Sequence, residues 1–171
     1  FISGKFEQLQ KNIPYSAINH AFTEFADILL TESQEKLTYW KAILNHALKP
    51  NGKVLTDVIP QLELIMGEQS DIEILAPAEA QNRFKTVFQK FLNSIASEEH
   101  PLVIFLDDLQ WADIASFNII KEILEDYHQS HLMIIGAYRT NEVHETHPLQ
   151  QILNNLTKNK YYHHIHLQNL S

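Results

Sequence analysis

Cysteine is missing from this chain altogether. That rules out a disulfide framework or a thiolate metal site and fits a cytoplasmic setting. Glycine is nearly as scarce, with four in 171 residues. A phosphate loop of the form G-x-x-x-x-G-K-[ST] needs a glycine-rich turn whose amides wrap the phosphates, closed by a hydroxyl that reaches Mg²⁺. No position matches. Ser3-Gly4-Lys5 comes nearest, but Phe6 follows Lys5 and no glycine lies upstream of Gly4. The stretch FISGKF is therefore read as a short strand, with Lys5 not a phosphate ligand. No apolar run approaches the ~20 residues of a membrane span, and no signal peptide opens the chain. Basic clusters are missing too: 13 Lys and Arg face 21 Asp and Glu, for a formal charge of −8, which argues against nucleic acid as a partner. His144 and His147 form H-E-T-H, without the i, i+4 spacing of H-E-x-x-H, and no metal is assigned to them.

What is present is an ordinary globular balance, 44% hydrophobic and 20% charged over 171 residues, enough for one domain with a substantial core. The stretch Pro101 to Asp113, PLVIFLDDLQWAD, organises it. Leu102 to Leu106 run apolar without alternation, as in a parallel strand covered on both faces. Asp107 and Asp108 follow at the carboxyl end, where open α/β sheets collect ligands. Two readings stand side by side. The acids are a polar turn out of the sheet, or they hold a metal and an attacking water. If strand geometry persists, the two side chains point to opposite sides and take different jobs. Asp113 suits an N-cap for a helix with Ile114, Phe117, Ile120, Ile123, Leu124 and Tyr127 on one stripe. A second apolar strand, His131 to Tyr138, then delivers Arg139 to the same edge.

Elsewhere the spacing predicts helices. Pro14 opens one with Ile18, Ala21, Phe22, Phe25, Ile28 and Leu29 at helical spacing. Ser33 or Thr31 caps the next, on which Trp40 is buried filling, and Pro60 separates two short helices. Gly67 to Ala76 is a loop, and Pro77 opens a long helix to about Ser97, with Arg83 and Lys85 as solvated charges. Tyr162 and the run His163 to His166 read as a final strand.

FLDDLQWAD, followed by IIGAYRTNEV and HPL, resembles the Walker B and sensor regions of AAA-like signalling ATPases of the STAND group. It is most similar to the ATPase module set between a serine/threonine kinase-like domain and GAF and histidine kinase domains in bacterial sensors. The segments FISGKFEQLQKNIPYSAI and APAEAQNRFKTVFQKF resemble the same family, so the likeness covers nearly the whole chain.

The resemblance implies an α/β fold of P-loop NTPase type, a mainly parallel sheet with flanking helices. The helices of about residues 14–97 elaborate the region between its second and third strands, and residues 101–171 form the Walker B and sensor core. It implies ATP and Mg²⁺ as cofactors. Asp107 would hold Mg²⁺ through water, Asp108 would polarise the attacking water, and Arg139 would sense phosphate in the sensor 1 position. For Arg139 a salt bridge to a neighbouring carboxylate is the alternative. The chain opens on Phe1 inside an apolar-polar pattern and is read as part of a longer protein lacking its first strand and Walker A loop, with kinase and sensor domains as neighbours. On this reading the piece neither binds ATP tightly nor hydrolyses it alone. Unpaired strand edges would favour a homo-oligomer. An interaction module that keeps the ATPase shape without hydrolysis is the other functional class.

Overall fold

The computed structural model describes residues 1–125, 131–157 and 161–167. Three parallel strands, β1 (Ile2–Lys5), β2 (Leu102–Asp107) and β3 (Leu132–Gly136), lie in that order across one sheet. Ile2 stands opposite Ile104, and Ile104 opposite Ile134. Parallel neighbours need crossover connections. Helices α1 (Ser16–Leu30), α2 (Gln34–Leu48), α3 (Gly52–Thr56), α4 (Gln61–Met66) and α5 (Pro77–Ile95) separate β1 from β2. Helix α6 (Ile114–Glu125) follows β2, and α7 (Pro148–Leu156) follows β3.

The fold is thus the expected α/β architecture, with a helical elaboration between the first two observed strands. Local signals set its boundaries. Ser33 Oγ accepts the Lys36 N–H at the start of α2, Pro77 occupies the first turn of α5, and Pro60 falls between α3 and α4. Residues 67–76 have no regular structure. Trp40 is buried, edge-on to Phe25. The first helix starts later than Pro14 predicts, because Tyr15 takes a left-handed conformation at φ 63° just before it. Ile28 and Ile114 also leave their predicted stripes and are exposed.

One face of the sheet carries the core. Ile18 and Phe22 of α1, Phe88 of α5 and Ile120 of α6 meet Ile104 and Leu106 at a single apolar junction. The opposite face corrects the expectation of a strand covered on both sides. Leu102, Ile104 and Leu106 are buried while Val103, Phe105 and Asp107 are only half-buried. Met133 and Ile135, which flank Val103 and Phe105 in register, are 57% and 37% exposed. The physical reason is that α1, α5 and α6 all pack on the Ile104 side.

The outer edge of β1 is protected instead by α1. Glu24 accepts the Ser3 N–H at 2.7 Å, and His20 Nδ1 lies 3.2 Å from the Ser3 carbonyl, so the edge offers fewer open groups to another strand. The predicted final strand does not form, since residues 162–167 have no regular structure. Tyr162 and His164 stack in series on Tyr138. Tyr127, placed on the α6 stripe, lies outside the described residues.

Candidate functional site

All three strands run the same way, so their carboxyl ends share one rim. Lys5 ends β1, Asp107 ends β2, and Arg139 stands three residues beyond β3. The ladders extend past the strands proper: the Phe6 N–H donates to the Asp107 carbonyl at 3.1 Å and the Ala137 N–H to the Leu106 carbonyl at 2.9 Å. These bonds hold the rim residues side by side.

The backbone turns sharply at Asp108, which is left-handed at φ 53°, ψ 43°. Strand geometry therefore ends one residue too early for the two acids to point apart. The Asp108 N–H donates to Asp107 Oδ1 at 2.8 Å. Lys5 Nζ lies 3.4 Å from Asp107 Oδ2 and 3.0 Å from Asp108 Oδ2. The expectation of opposite-facing carboxylates is corrected accordingly, because both present an oxygen to one ammonium.

Asp108 is buried, at 5% exposure, and a buried carboxylate needs partners for its charge. Gln110 Nε2 donates to its Oδ1 at 2.8 Å, and Arg139 Nε approaches the same atom at 3.6 Å. Burial pushes the Asp108 carboxyl up. The Gln110 hydrogen bond, the Lys5 hydrogen bond and charge, and the Arg139 charge outweigh it, so the group sits below the usual aspartate range. Lys5 is held above its ordinary value by its hydrogen bonds to Asp108 and Asp107 and by their charges. Asp107 is more open, its side chain 37% exposed.

Arg139 is brought to the acid pair but also held elsewhere. Its Nη1 donates to Glu142 Oε1 at 3.3 Å, and its guanidinium lies 5.5 Å from the centre of the Trp111 ring. Trp111 Nε1 donates to Glu142 Oε2 at 3.0 Å, closing this small cluster. The salt-bridge alternative for Arg139 is thus realised at Asp108.

Sequence reasoning missed five residues here. Lys5 was set aside with the phosphate loop, yet the β1 register puts its head on both acids. Gln110 is buried and joins Asp108 to the Arg139 backbone N–H, which its Oε1 accepts at 3.2 Å. Trp111 and Glu142 hold the guanidinium. His147 supports the turn from below: Nε2 meets the Gln110 carbonyl at 3.1 Å while Nδ1 accepts the Leu149 N–H at the start of α7. A polar residue two positions after an acidic strand end was the one sequence signal available for Gln110. The others depend on tertiary register. Arg83 and Lys85 are not simply solvated either: Lys85 pairs with Glu122, and Arg83 Nη1 donates to the Glu73 carbonyl.

The donor set suits a hard divalent cation. Two aspartate oxygens already share a positive charge, and Mg²⁺ is usually held by one or two carboxylates completed by phosphate and water. Among the described residues no cluster of three or more His, Cys, Asp or Glu could hold a metal, so a cage built from protein alone does not fit. Nor is any described helix long and apolar enough to cross a membrane.

A parallel sheet with helical crossovers and an acidic strand end on its carboxyl rim defines a P-loop NTPase-like α/β domain. The chain belongs to the AAA ATPase domain family, whose model matches residues 1–135. It is also similar to hybrid signal transduction histidine kinase G of Dictyostelium discoideum, with 43% identity over 125 residues. That match covers 73% of this chain and spans only 4% of the relative. No solved structure matches the chain. Membership of the family, with a kinase among its relatives, supports an ATPase-type module of a signalling protein.

Proposed function

We propose that this chain is the acid-bearing half of an ATP-binding regulatory module in a cytoplasmic multidomain signalling kinase. Within it, Asp107 and Asp108 form the Walker B end and Arg139 the sensor 1 residue. The observation that carries the reading is the acid pair at the carboxyl end of β2, whose two Oδ2 atoms already share one cation. Asp107, the more exposed acid, holds Mg²⁺ through water. The ion would supply charge neutralisation at the phosphate oxygens. Asp108 orients the attacking water. Its lowered pKa makes it a weak base, so positioning is its main contribution. Arg139 keeps its charge at any working pH and offers planar donors that match phosphate oxygens. Residues 101–171 then form the catalytic core, and the helices of 14–97 form a surface toward neighbouring kinase or sensor domains of the same polypeptide.

A second reading is favoured by the burial of Asp108, both of whose oxygens are engaged internally. Here the module keeps the ATPase shape, does not hydrolyse, and passes contacts between domains.

Titration calorimetry with Mg²⁺-ATP on the 171-residue chain should show no micromolar binding, because no glycine-rich cradle is present. Joined to a phosphate-loop segment ahead of Phe1, the module should bind and turn over ATP, and Asp108→Asn should cut turnover about a hundredfold or more while binding persists. If turnover is absent, the interaction-module reading replaces hydrolysis; if turnover is present but unchanged in Asp108→Asn, the water-positioning role of Asp108 falls.

A further inference from the structure

The strand registers bring one residue to the acid pair that the nucleotide reading leaves without a role. Lys5 is Cα partner to Asp107 in the parallel ladder, and the bond from the Phe6 N–H to the Asp107 carbonyl fixes that alignment just beyond the strand. Its ammonium is therefore delivered to the carboxylates by backbone pairing. The oxygens are divided between partners in a way that matters. Asp107 Oδ1 accepts the Asp108 N–H, and Asp108 Oδ1 serves Gln110 and Arg139. The Oδ2 atoms of both acids remain, and Lys5 Nζ sits on both.

A metal held at this pair, directly or through its waters, draws on those same Oδ2 atoms. An ammonium 3.0 and 3.4 Å from them competes with a metal, or with the waters it carries, for those oxygens and their charge. We propose that Lys5 is the resident counter-ion of Asp107 and Asp108, and that a divalent cation is admitted only by displacing it. This rests on reading the acid pair as the metal end of the nucleotide site.

The displacement is physically accessible. Lys5 has a side chain 57% exposed on a flexible stem, so its head can move into water without opening the core. It is also selective. A free divalent ion gains two carboxylates but must give up their existing neutralisation. A metal that arrives with a polyphosphate brings its own anionic oxygens, beside which the released ammonium stays favourably placed. Lys5 thus biases the site against bare Mg²⁺ and toward a metal-phosphate complex.

The test measures Mn²⁺ binding to the whole chain by electron paramagnetic resonance of the free ion, so it needs no turnover. Lys5→Met should bind Mn²⁺ about fivefold more tightly than the wild type, the scale of one partly exposed ion pair. Lys5→Arg, which keeps the charge, should stay near the wild-type affinity. Adding Asp108→Asn to Lys5→Met should abolish the gain. Thermal unfolding of each variant confirms folding, and Lys5→Gln serves as a second charge-free variant. If Lys5→Met and Lys5→Gln match the wild type while Asp107→Asn weakens binding, Lys5 only staples β1 to β2; the inference fails and the metal site stands. If no substitution of Asp107 or Asp108 changes Mn²⁺ binding, both readings fall.

Discussion

Asp108 meets two demands that few residues satisfy together, a left-handed backbone and a buried, paired negative charge. Asn and Gly tolerate the backbone, while Ala resists it by roughly 1–2 kcal/mol. Losing the carboxylate leaves Lys5, Gln110 and Arg139 without a shared acceptor. Asp108→Ala should therefore destabilise the chain by about 3 kcal/mol or more, and Asp108→Asn, which keeps the backbone preference, by clearly less. Urea unfolding of the two variants checks the order. A carboxylate with a depressed folded pKa stabilises fully above its unfolded pKa, about 3.9. That contribution is lost as pH falls through the folded value. The stability of the wild type should thus fall more steeply below about pH 4 than that of Asp108→Asn. Parallel curves would show that Asp108 is not stabilised as an anion. The acids and Arg139 were legible in the sequence because runs and turn positions are local signals. The left-handed turn was not, since nothing in LDDL announces it, and it reversed the inference about where the two carboxylates point. Lys5 was hidden for a different reason: its partner Asp107 is 102 residues away, and only the β1–β2 register joins them.

Two close contacts between elements hold this rim in place. A Cβ built on Gly4 would lie 2.1 Å from the Ala17 carbonyl oxygen, backbone against strand, so β1 can approach α1 only without a side chain there. Gly4→Ala should push them apart at a cost of about 2–3 kcal/mol. Because Lys5 follows directly, the same substitution should weaken its hold on the acids, seen as a shift of its ε-ammonium resonance. At the other junction, Asp113 caps α6 through the Ser116 N–H at 2.9 Å and accepts the Tyr15 N–H at 3.2 Å, tying the start of α1 to the helix after the acidic strand. Asp113→Ala should cost about 1–2 kcal/mol in calorimetric unfolding, and Asp113→Asn about half as much, since an amide oxygen still accepts one bond. The capping role of Asp113 and the strong apolar periodicity of α5 could be read directly. The left-handed Tyr15 could not, and it moved the start of α1 past Pro14. The helix count between β1 and β2 was readable because proline and glycine punctuate it, at Pro50, Gly52, Pro60, Gly67 and Pro77.

At the scale of the whole molecule, the described residues cover the sheet on one face only. Parallel strands usually have both faces covered by their crossovers, yet Met133 and Ile135 stand exposed beside Val103 and Phe105. Among the described residues no strand pairs with the outer edge of β3. The final strand expected at Tyr162 to His166 would have lain near that edge. The side-chain pattern and the family resemblance suggested it, but a strand needs a ladder partner, and without one Ile165 and Leu167 remain 78% and 87% exposed. An open parallel edge next to an apolar face favours pairing with a second chain, while a net charge of −8 opposes it through repulsion that salt screens. The signs separate cleanly. Sedimentation should show self-association that rises with protein concentration and strengthens as NaCl is raised from about 0.05 to 0.5 M. Ile135→Lys, at a position already partly open to water, should suppress the association with little loss of stability. A monomer at all salt concentrations, or association that Ile135→Lys leaves intact, would mean that the uncovered face of the sheet does not drive contact between copies.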